Sequence, residues 1–310
     1  MTPGNPAAPP LVPAAAPVFV TRLGEDAVLD VGAMRSDGVL LDAGGSESAS
    51  GAVGRGRSLR VVDSKSPSVT RAVGILEELA RERSPMALSH LARSLDLAKS
   101  TVANLCAALE AVQMIRRVGG RWTLDHKVVE LGQGYLASTD LVDEFRRGCA
   151  TLPTAASETL LLAVLDDLDV VYLACHDGTQ SVRLSNEVGT RMPAVVTALG
   201  KAMLAVLPVD ELERRLARLT GLPELTPRSH RTVVELRHDL DVVRDQGHAL
   251  DDEQNTTGVT CLAVAVPGRR TVRAAVSATM LSARVEPELL AGIAADLVHL
   301  ARRLSVVNSS

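Results

Sequence analysis

Aromatic side chains are nearly absent from this chain: Phe19, Trp122, Tyr135, Phe145 and Tyr172 are the five in 310 residues. Readers of single-stranded nucleic acid stack bases on such rings, so that class is excluded, and the cores must be packed with Leu, Val, Ile and Ala. Cysteine is equally sparse. Cys106, Cys149, Cys175 and Cys261 stand far apart with no CxxC pair, which supplies neither a zinc site nor a disulfide framework and suits a reducing cytoplasm. No run of about 18 uncharged apolar residues occurs, which excludes a helical membrane span by length. The N-terminal stretch lacks a basic n-region and is broken by Pro3, Pro6, Pro9, Pro10, Pro13 and Pro17, so it does not read as a secretory signal. The expected location is cytoplasmic. The seven histidines never fall in HExxH spacing, and Gly200-Lys201 is followed by Ala rather than the Ser or Thr of a phosphate loop. No metal and no cofactor are expected.

What is present is enough apolar residue, 46% of the chain, to bury about two domains. Residues 1–63 hold six of the 15 prolines and nine of the 23 glycines and read as a low-complexity tail, with a weak apolar patch from Val18 to Leu41 that allows strand fragments. From Ser66 the pattern changes. Ser66 and Pro67 make an N-cap followed by proline at the first helical position, and Val69, Ala72, Val73, Leu76, Leu79 and Ala80 recur at helical spacing. A second short helix carries Leu88, Leu91, Ala92 and Leu95, and a four-residue turn Leu95-Asp96-Leu97-Ala98 leads to a third with Val102, Leu105, Cys106 and Leu109. That spacing predicts a helix-turn-helix. Met114 to Val118 and Arg121 to Leu124, joined by Gly119-Gly120, then predict a β-hairpin, hence a wing.

The expected organisation is α+β in two domains: a winged helix-turn-helix over 64–125, a linker helix over 126–140, and a second α+β domain with a largely antiparallel sheet over 141–310. In the second domain a helix is expected from Leu141 to about Glu158. Strands follow at Leu160 to Leu165 and Val170 to Cys175, then helices around Leu199 to Leu207, Asp210 to Leu219 and Val233 to Gln246. Strands at Cys261 to Val266 and Val272 to Ala278 precede a closing helix through Leu289 to Leu300.

Charge divides along the same line. Between Arg55 and Arg121 there are twelve basic and six acidic residues, a local net of +6, so the formal −4 of the chain hides a remainder of −10. A positive helix-turn-helix beside a negative second domain suits a duplex-binding module, because phosphate contacts supply most of the affinity. Lys99, Ser100 and Thr101 open the third helix, where hydroxyls and the helix N-terminus meet phosphate. Ala103 and Asn104 point away from its apolar face; Asn pairs bidentately with adenine and a small apolar side chain touches a thymine methyl, although a solvated surface Asn reads the same in sequence. Arg116, Arg117 and Arg121 are wing candidates for backbone or minor-groove contacts, or for keeping an edge hairpin soluble.

These residues resemble a known family. Leu91-Ala92-Arg93 through Lys99-Ser100-Thr101-Val102 to Leu109-Glu110 is similar to the winged helix-turn-helix of the IclR-type transcriptional regulators. Val188-Gly189-Thr190-Arg191-Met192-Pro193, Thr197-Ala198-Leu199-Gly200-Lys201-Ala202, and Asp251-Asp252-Glu253 with Gly258 and Cys261 resemble successive blocks of that family's effector-binding domain. The likeness runs from Ser66 to Leu304. It implies a GAF-like C-terminal domain, a homo-oligomer (dimer or dimer of dimers), and affinity for a double-stranded DNA operator modulated by a small molecule, a small organic acid by preference. Asp96 stands where the family commonly has glycine, Ala98 where proline is frequent, and Ala103-Asn104 where a His-Arg pair is often found, so the operator does not carry over.

The resemblance also implies an effector site at Ala198, Leu199, Asp251, Cys261, Ser277 and Thr279, with Met192 and Val259 nearby. On residue type alone the same positions read as ordinary strand, core and turn residues. Two rival functions stay open: a DNA-binding regulator whose second domain serves only oligomerisation, and a small-molecule enzyme using Cys261 with Asp251 and one of His230, His238 or His248. No motif for an oxyanion site accompanies that cysteine, so a non-enzymatic regulator is the expected class.

Overall fold

Ser66 occupies the N-cap of the first helix and Pro67 lies in its first turn, as the residue pattern predicts, and α1 (Pro67–Glu82) follows. The structure, a computed structural model, describes residues 20–22, 65–137, 140–180, 182–184, 187–268 and 274–308. A short strand, β1 (Val20–Arg22), falls inside the apolar patch of the N-terminal tail; the rest of that tail lies outside the described residues. The chain divides into two units between residues 138 and 139.

In the first unit α1 is followed by α2 (Leu88–Ser94), α3 (Lys99–Ala111), the hairpin β2 (Ile115–Val118) and β3 (Arg121–Leu124), and α4 (Lys127–Ala137). The turn between α2 and α3 is closed by Leu97 N–H donating to the Ala92 carbonyl at 2.9 Å. Asp96 takes the left-handed conformation there, with φ 51°, which its short polar side chain tolerates in place of glycine. Gly119 and Gly120 both have positive φ, as a two-residue turn matched to the twist of its strands requires. Met86 bridges to the hairpin: its N–H donates to the Trp122 carbonyl at 2.8 Å, and its carbonyl accepts from Trp122 N–H at 2.7 Å.

The buried face of α1 differs from the one its spacing predicts. Ile75 and Leu79 enter the core with Leu91, Val102, Cys106, Ile115 and Trp122, whereas Val69, Val73 and Ala80 lie exposed. The larger side chains at i and i+4 gain more by burial than the smaller valines and alanine, and they set the rotation of the helix.

The second unit is built on a six-stranded sheet in the order β7-β5-β4-β10-β9-β8, every neighbouring pair antiparallel. Its strands are β4 (Thr159–Asp166), β5 (Asp169–His176), β7 (Arg191–Pro193), β8 (Ala249–Asp252), β9 (Val259–Ala265) and β10 (Ala274–Leu281), while β6 (Val182–Leu184) pairs with β1. Its helices are α5 (Asp140–Cys149), α6 (Ala198–Ala205), α7 (Val209–Leu216), α8 (Val233–Gln246) and α9 (Pro287–Asn308). Leu161, Ala163, Ala263 and Ala275 face the layer formed by α6, α7 and α8. The alternate residues of the same strands are buried as well, toward α5 and α9, so the central strands read as unbroken apolar runs instead of alternating ones.

The helix expected from Leu141 to Glu158 ends at Cys149. Asp296 of α9 takes over the chain beyond it, its Oδ2 accepting from the N–H groups of Thr154 (2.7 Å) and Ala155 (2.8 Å), which pins a 3-10 turn at Ala155–Ser157 in place of continued helix. Strands β6, β7 and β8 are shorter than sequence periodicity resolves.

Gly200 fixes how closely α6 approaches the turn before it. A Cβ at this position would stand 2.1 Å from the Ala194 carbonyl oxygen, a backbone atom with nowhere to move. Gly200→Ala is therefore expected to cost about 1–3 kcal/mol, read as a lowered urea midpoint with unchanged slope; a midpoint equal to that of the parent would refute the close approach.

Candidate functional site

The first unit presents one face rich in donors. Lys99 and Ser100 are exposed at the start of α3, Thr101 and Ala103 are half-buried, and Asn104 is exposed one turn further on. No acidic side chain sits in the first turn, so nothing opposes an anion at the positive end of the helix. The wing arginines differ from one another. Arg117 lies over the Trp122 ring, 4.2 Å from its centroid, with its Nε 3.7 Å from Glu110 Oε1, and so braces the wing against α3. Arg116 Nε is 3.8 Å from Asp125 Oδ1, and Arg121 is exposed just beyond the Gly-Gly turn.

The second unit contains a half-open cavity on the α6 side of the sheet, with about 420 Å³ of space between its walls when the open solvent at its mouth is counted. Strand register assembles its floor. Asp251 of β8 lies opposite Cys261 of β9, and Cys261 opposite Thr279 of β10, giving one row; Ser277 pairs with Leu161 of β4 in the next. Ala198 and Leu199, in the first turn of α6, and Val259 complete the predicted set. Seven of the eight positions expected from the family resemblance thus line one cavity. Met192 does not: it sits on β7 opposite Val170 and is spent on the hydrophobic core.

The structure adds Leu161, Tyr172, Thr197, Asn255 and Thr256 to the lining. Tyr172 reaches this face because of a bulge, in which Leu161 and Leu162 pair with Cys175 and Ala174 but Ala163 pairs with Tyr172, leaving Leu173 as the extra residue. Nothing in the apolar run Val170 to Ala174 announces it. Thr197 caps α6, its Oγ1 accepting from Gly200 N–H at 3.1 Å.

Behind the cavity lies a fully buried lysine that sequence reasoning passed over. Lys201 Nζ donates to Asp239 Oδ2 (2.6 Å), to the Leu250 carbonyl (2.5 Å) and to Gln254 Oε1 (2.5 Å), so all three of its hydrogens are used. Leu250 and Gln254 flank Asp251. From the same side Thr226 Oγ1 donates to the Glu253 carbonyl and Ser229 Oγ to that of Gln254, each at 2.6 Å. His230 Nε2 lies 2.8 Å from Asp239 Oδ2. Burial works against the charge on Asp239, but hydrogen bonds from His230 and Lys201 prevail and hold its carboxyl below the usual range.

Asp251, almost fully buried, goes the other way. Burial pushes its carboxyl up to about 6, against the pull of Lys201 and of the Asn255 and Gln254 N–H groups that bond Oδ1. Burial likewise raises the Cys261 thiol, whose Sγ donates to Thr279 Oγ1 at 3.5 Å, so it is a poor nucleophile in this setting. His230 belongs to the lysine network, and His238 and His248 are not among the residues lining the cavity. Among the described residues no group of His, Cys, Asp and Glu is gathered for a metal, and no helix is long and apolar enough to cross a membrane.

Family models match both parts of the chain. The IclR helix-turn-helix domain model matches residues 68–119, and that of the bacterial transcriptional regulator IclR C-terminal domain matches residues 133–306. The chain is a member of the IclR family. Transcriptional repressor IclR of Escherichia coli K12 is 28% identical over 244 residues, spanning 77% of this chain and 89% of that protein. An IclR regulator of known structure from Alicyclobacillus acidocaldarius has the same fold, with a TM-score of 0.71, 23% identity, and coverage of 79% of this chain and 100% of that one. An IclR homologue from Microbacterium hydrocarbonoxydans, solved with 4-hydroxybenzoate, has a TM-score of 0.65 at 22% identity, covering 76% and 98% of the two chains. The chain is thus a DNA-binding transcriptional regulator with a family C-terminal domain, and its relatives are regulators, not enzymes.

Two outcomes follow from the buried charges. Lys201→Met leaves Asp239 without its cation and the Leu250 carbonyl and Gln254 Oε1 without their donor, and is expected to lower unfolding free energy by about 3–5 kcal/mol in urea titrations. For Asp251, a folded value near 6 against 3.8 when free means that the proton is held more tightly in the fold. Its contribution is present in full below pH 3.8 and is lost as pH rises through about 6. Asp251→Asn should therefore gain stability relative to the parent between pH 4.5 and pH 7.5; a difference independent of pH would contradict the burial of an ionisable carboxyl there.

Proposed function

We propose that this IclR-family protein is a cytoplasmic transcriptional repressor whose operator affinity is controlled by a small organic acid bound in the cavity of the second unit. The observation that supports this most directly is the convergence of seven positions expected from the family resemblance, drawn from α6, β8, β9 and β10, on one cavity. A ligand site of this kind needs apolar walls and a few polar groups that converge. Leu161, Leu199 and Val259 provide walls, and Asp251, Ser277, Thr279 and the first N–H groups of α6 provide the rest. Control requires only that the acid bind unequally to the forms of high and low DNA affinity.

On the DNA side, α3 is the reading helix, with Ser100 and Thr101 on phosphate and Asn104 on a base edge, and the wing contributes Arg116 and Arg121. The protein works as a homodimer or dimer of dimers, which covers Val129 and Leu131, exposed on α4. A monomer at micromolar concentration in light scattering would contradict this.

The test uses fluorescence anisotropy on DNA from upstream of the protein's own gene. Asn104→Ala is expected to relax preference at one base pair at a cost of about 1–3 kcal/mol, whereas Arg121→Ala weakens all sequences alike and reduces the salt slope by about one. Unchanged binding in both variants would reject the docking face. Operator affinity that no small acid alters would favour a second unit that serves assembly alone.

A further inference from the structure

The wing arginines do not share a face. Side chains alternate along β2, and its register sets Ile115 opposite Leu124, Arg116 opposite Thr123, Arg117 opposite Trp122 and Val118 opposite Arg121. Ile115 and Trp122 belong to the core of the first unit, so Arg117 lies on the inner face of the hairpin with them, and Arg116 and Arg121 lie on the outer one. The inner arginine meets the Trp122 ring at 4.2 Å and Glu110 Oε1 at 3.7 Å.

Glu110 is out of place by two electrostatic criteria. It is exposed in the last turn of α3, where the partial negative charge of the helix end disfavours a carboxylate, and that turn holds no basic residue of its own. It also stands on the helix that faces a polyanion. What Glu110 does have is a place beside a joint. The chain passes from α3 to β2 through Val112, Gln113 and Met114; Gln113 takes the left-handed conformation with φ 61°, and Met114 N–H reaches back to the Leu109 carbonyl at 3.0 Å. Glu110 precedes this turn and Arg117 follows it, so their ion pair spans the joint with the indole beneath it. Both charges also act on the Cys106 thiol, buried one helical turn before Glu110: burial pushes it up to about 11, the guanidinium opposing and the carboxylate adding. The bracket thus sits over the edge of the core.

We infer that Glu110 and Arg117 are positioning residues for DNA reading, their bracket over Trp122 setting the angle between α3 and the wing, so that a carboxylate on the reading helix raises operator affinity instead of lowering it. The inference rests on the docking face given above. With the angle set in advance, Arg116 and Arg121 reach the backbone while Asn104 reaches a base, and less ordering is left to be done on binding. Each contact is modest where water has access, so the bracket acts on affinity more than on folding.

The experiment measures fluorescence anisotropy of the full chain on the operator fragment over a range of salt concentrations. Glu110→Gln is expected to weaken binding about three- to fivefold with the salt slope unchanged, whereas loss of a carboxylate that merely repelled phosphate would tighten it. Arg117→Ala should weaken binding to a similar degree, again with the slope unchanged, and Arg117→Lys should restore part of the loss. The double variant should bind no more weakly than Arg117→Ala, because both changes break one bracket. Arg121→Ala is the comparison, since a lost phosphate contact lowers the slope by about one. Trp122 is the one tryptophan of the chain, so its emission reports the inner face directly: quencher access should rise in Arg117→Ala, fall back in Arg117→Lys and stay at the parent level in Arg121→Ala. Tighter or unchanged binding in Glu110→Gln, a slope lowered by about one in Arg117→Ala, or additive losses in the double variant would overturn the bracket and leave the docking face intact. If Asn104→Ala and Arg121→Ala bind like the parent, the docking face fails and the inference fails with it.

Discussion

A single ammonium group organises the second unit. Lys201 has no contact with water, and its three hydrogens reach a carboxylate on α8, the last carbonyl before Asp251 and the side chain of Gln254 just after it. It grows from the same helix whose first turn forms the facing wall. Two walls of the cavity, distant in the chain, are thereby referred to one charge, and the polar ends of the cavity keep a fixed spacing. Burying that charge is unfavourable on its own and is tolerated because Asp239, held in its ionised form, and two neutral oxygens surround it. Gly200, next in the chain, lets α6 sit close enough to the preceding turn for this reach to work.

The first unit solves a different problem with different means. It gathers nine buried apolar residues, Trp122 among them, and keeps most of its charge outside. Arg117 shows that the basic count is not all available to DNA, since its guanidinium lies over the indole and near Glu110. The +6 of the segment is an upper bound on what meets phosphate. Arg121 and Lys99, exposed at the tip of the wing and the start of α3, carry the part that is plainly accessible.

Much of this was legible in the residues, and the losses have identifiable causes. Helix α8 has the bounds expected for it, Val233 to Gln246, and the structure shows why they are sharp: Thr232 and Glu235 form a capping box at its start and Gly247 ends it in the left-handed conformation. The glycine pair of the wing and the short turn at Asp96 were explicit in sequence. The cavity was not legible from periodicity, because both faces of the central strands are buried and the alternation that separates front from back is erased. Its residues came into view through the family resemblance, which missed Asn255 and included Met192. Lys201 stands in one of the family blocks, but its burial left no trace in sequence: a lone lysine amid Ala, Leu and Met looks like a solvated helix residue until its partners, 38 to 53 positions away, are brought to it.

The bulge in β5 separates two ways in which such a wall can change. Because Leu173 is taken up as a bulge, the phenol of Tyr172 turns inward; in unbroken register the same residues would place Leu173 opposite Ala163 and turn the ring to the other face, without altering any residue of the cavity floor. The repertoire of walls open to this scaffold is therefore wider than point substitution allows, and two regulators with the same lining residues in sequence order can present different cavities.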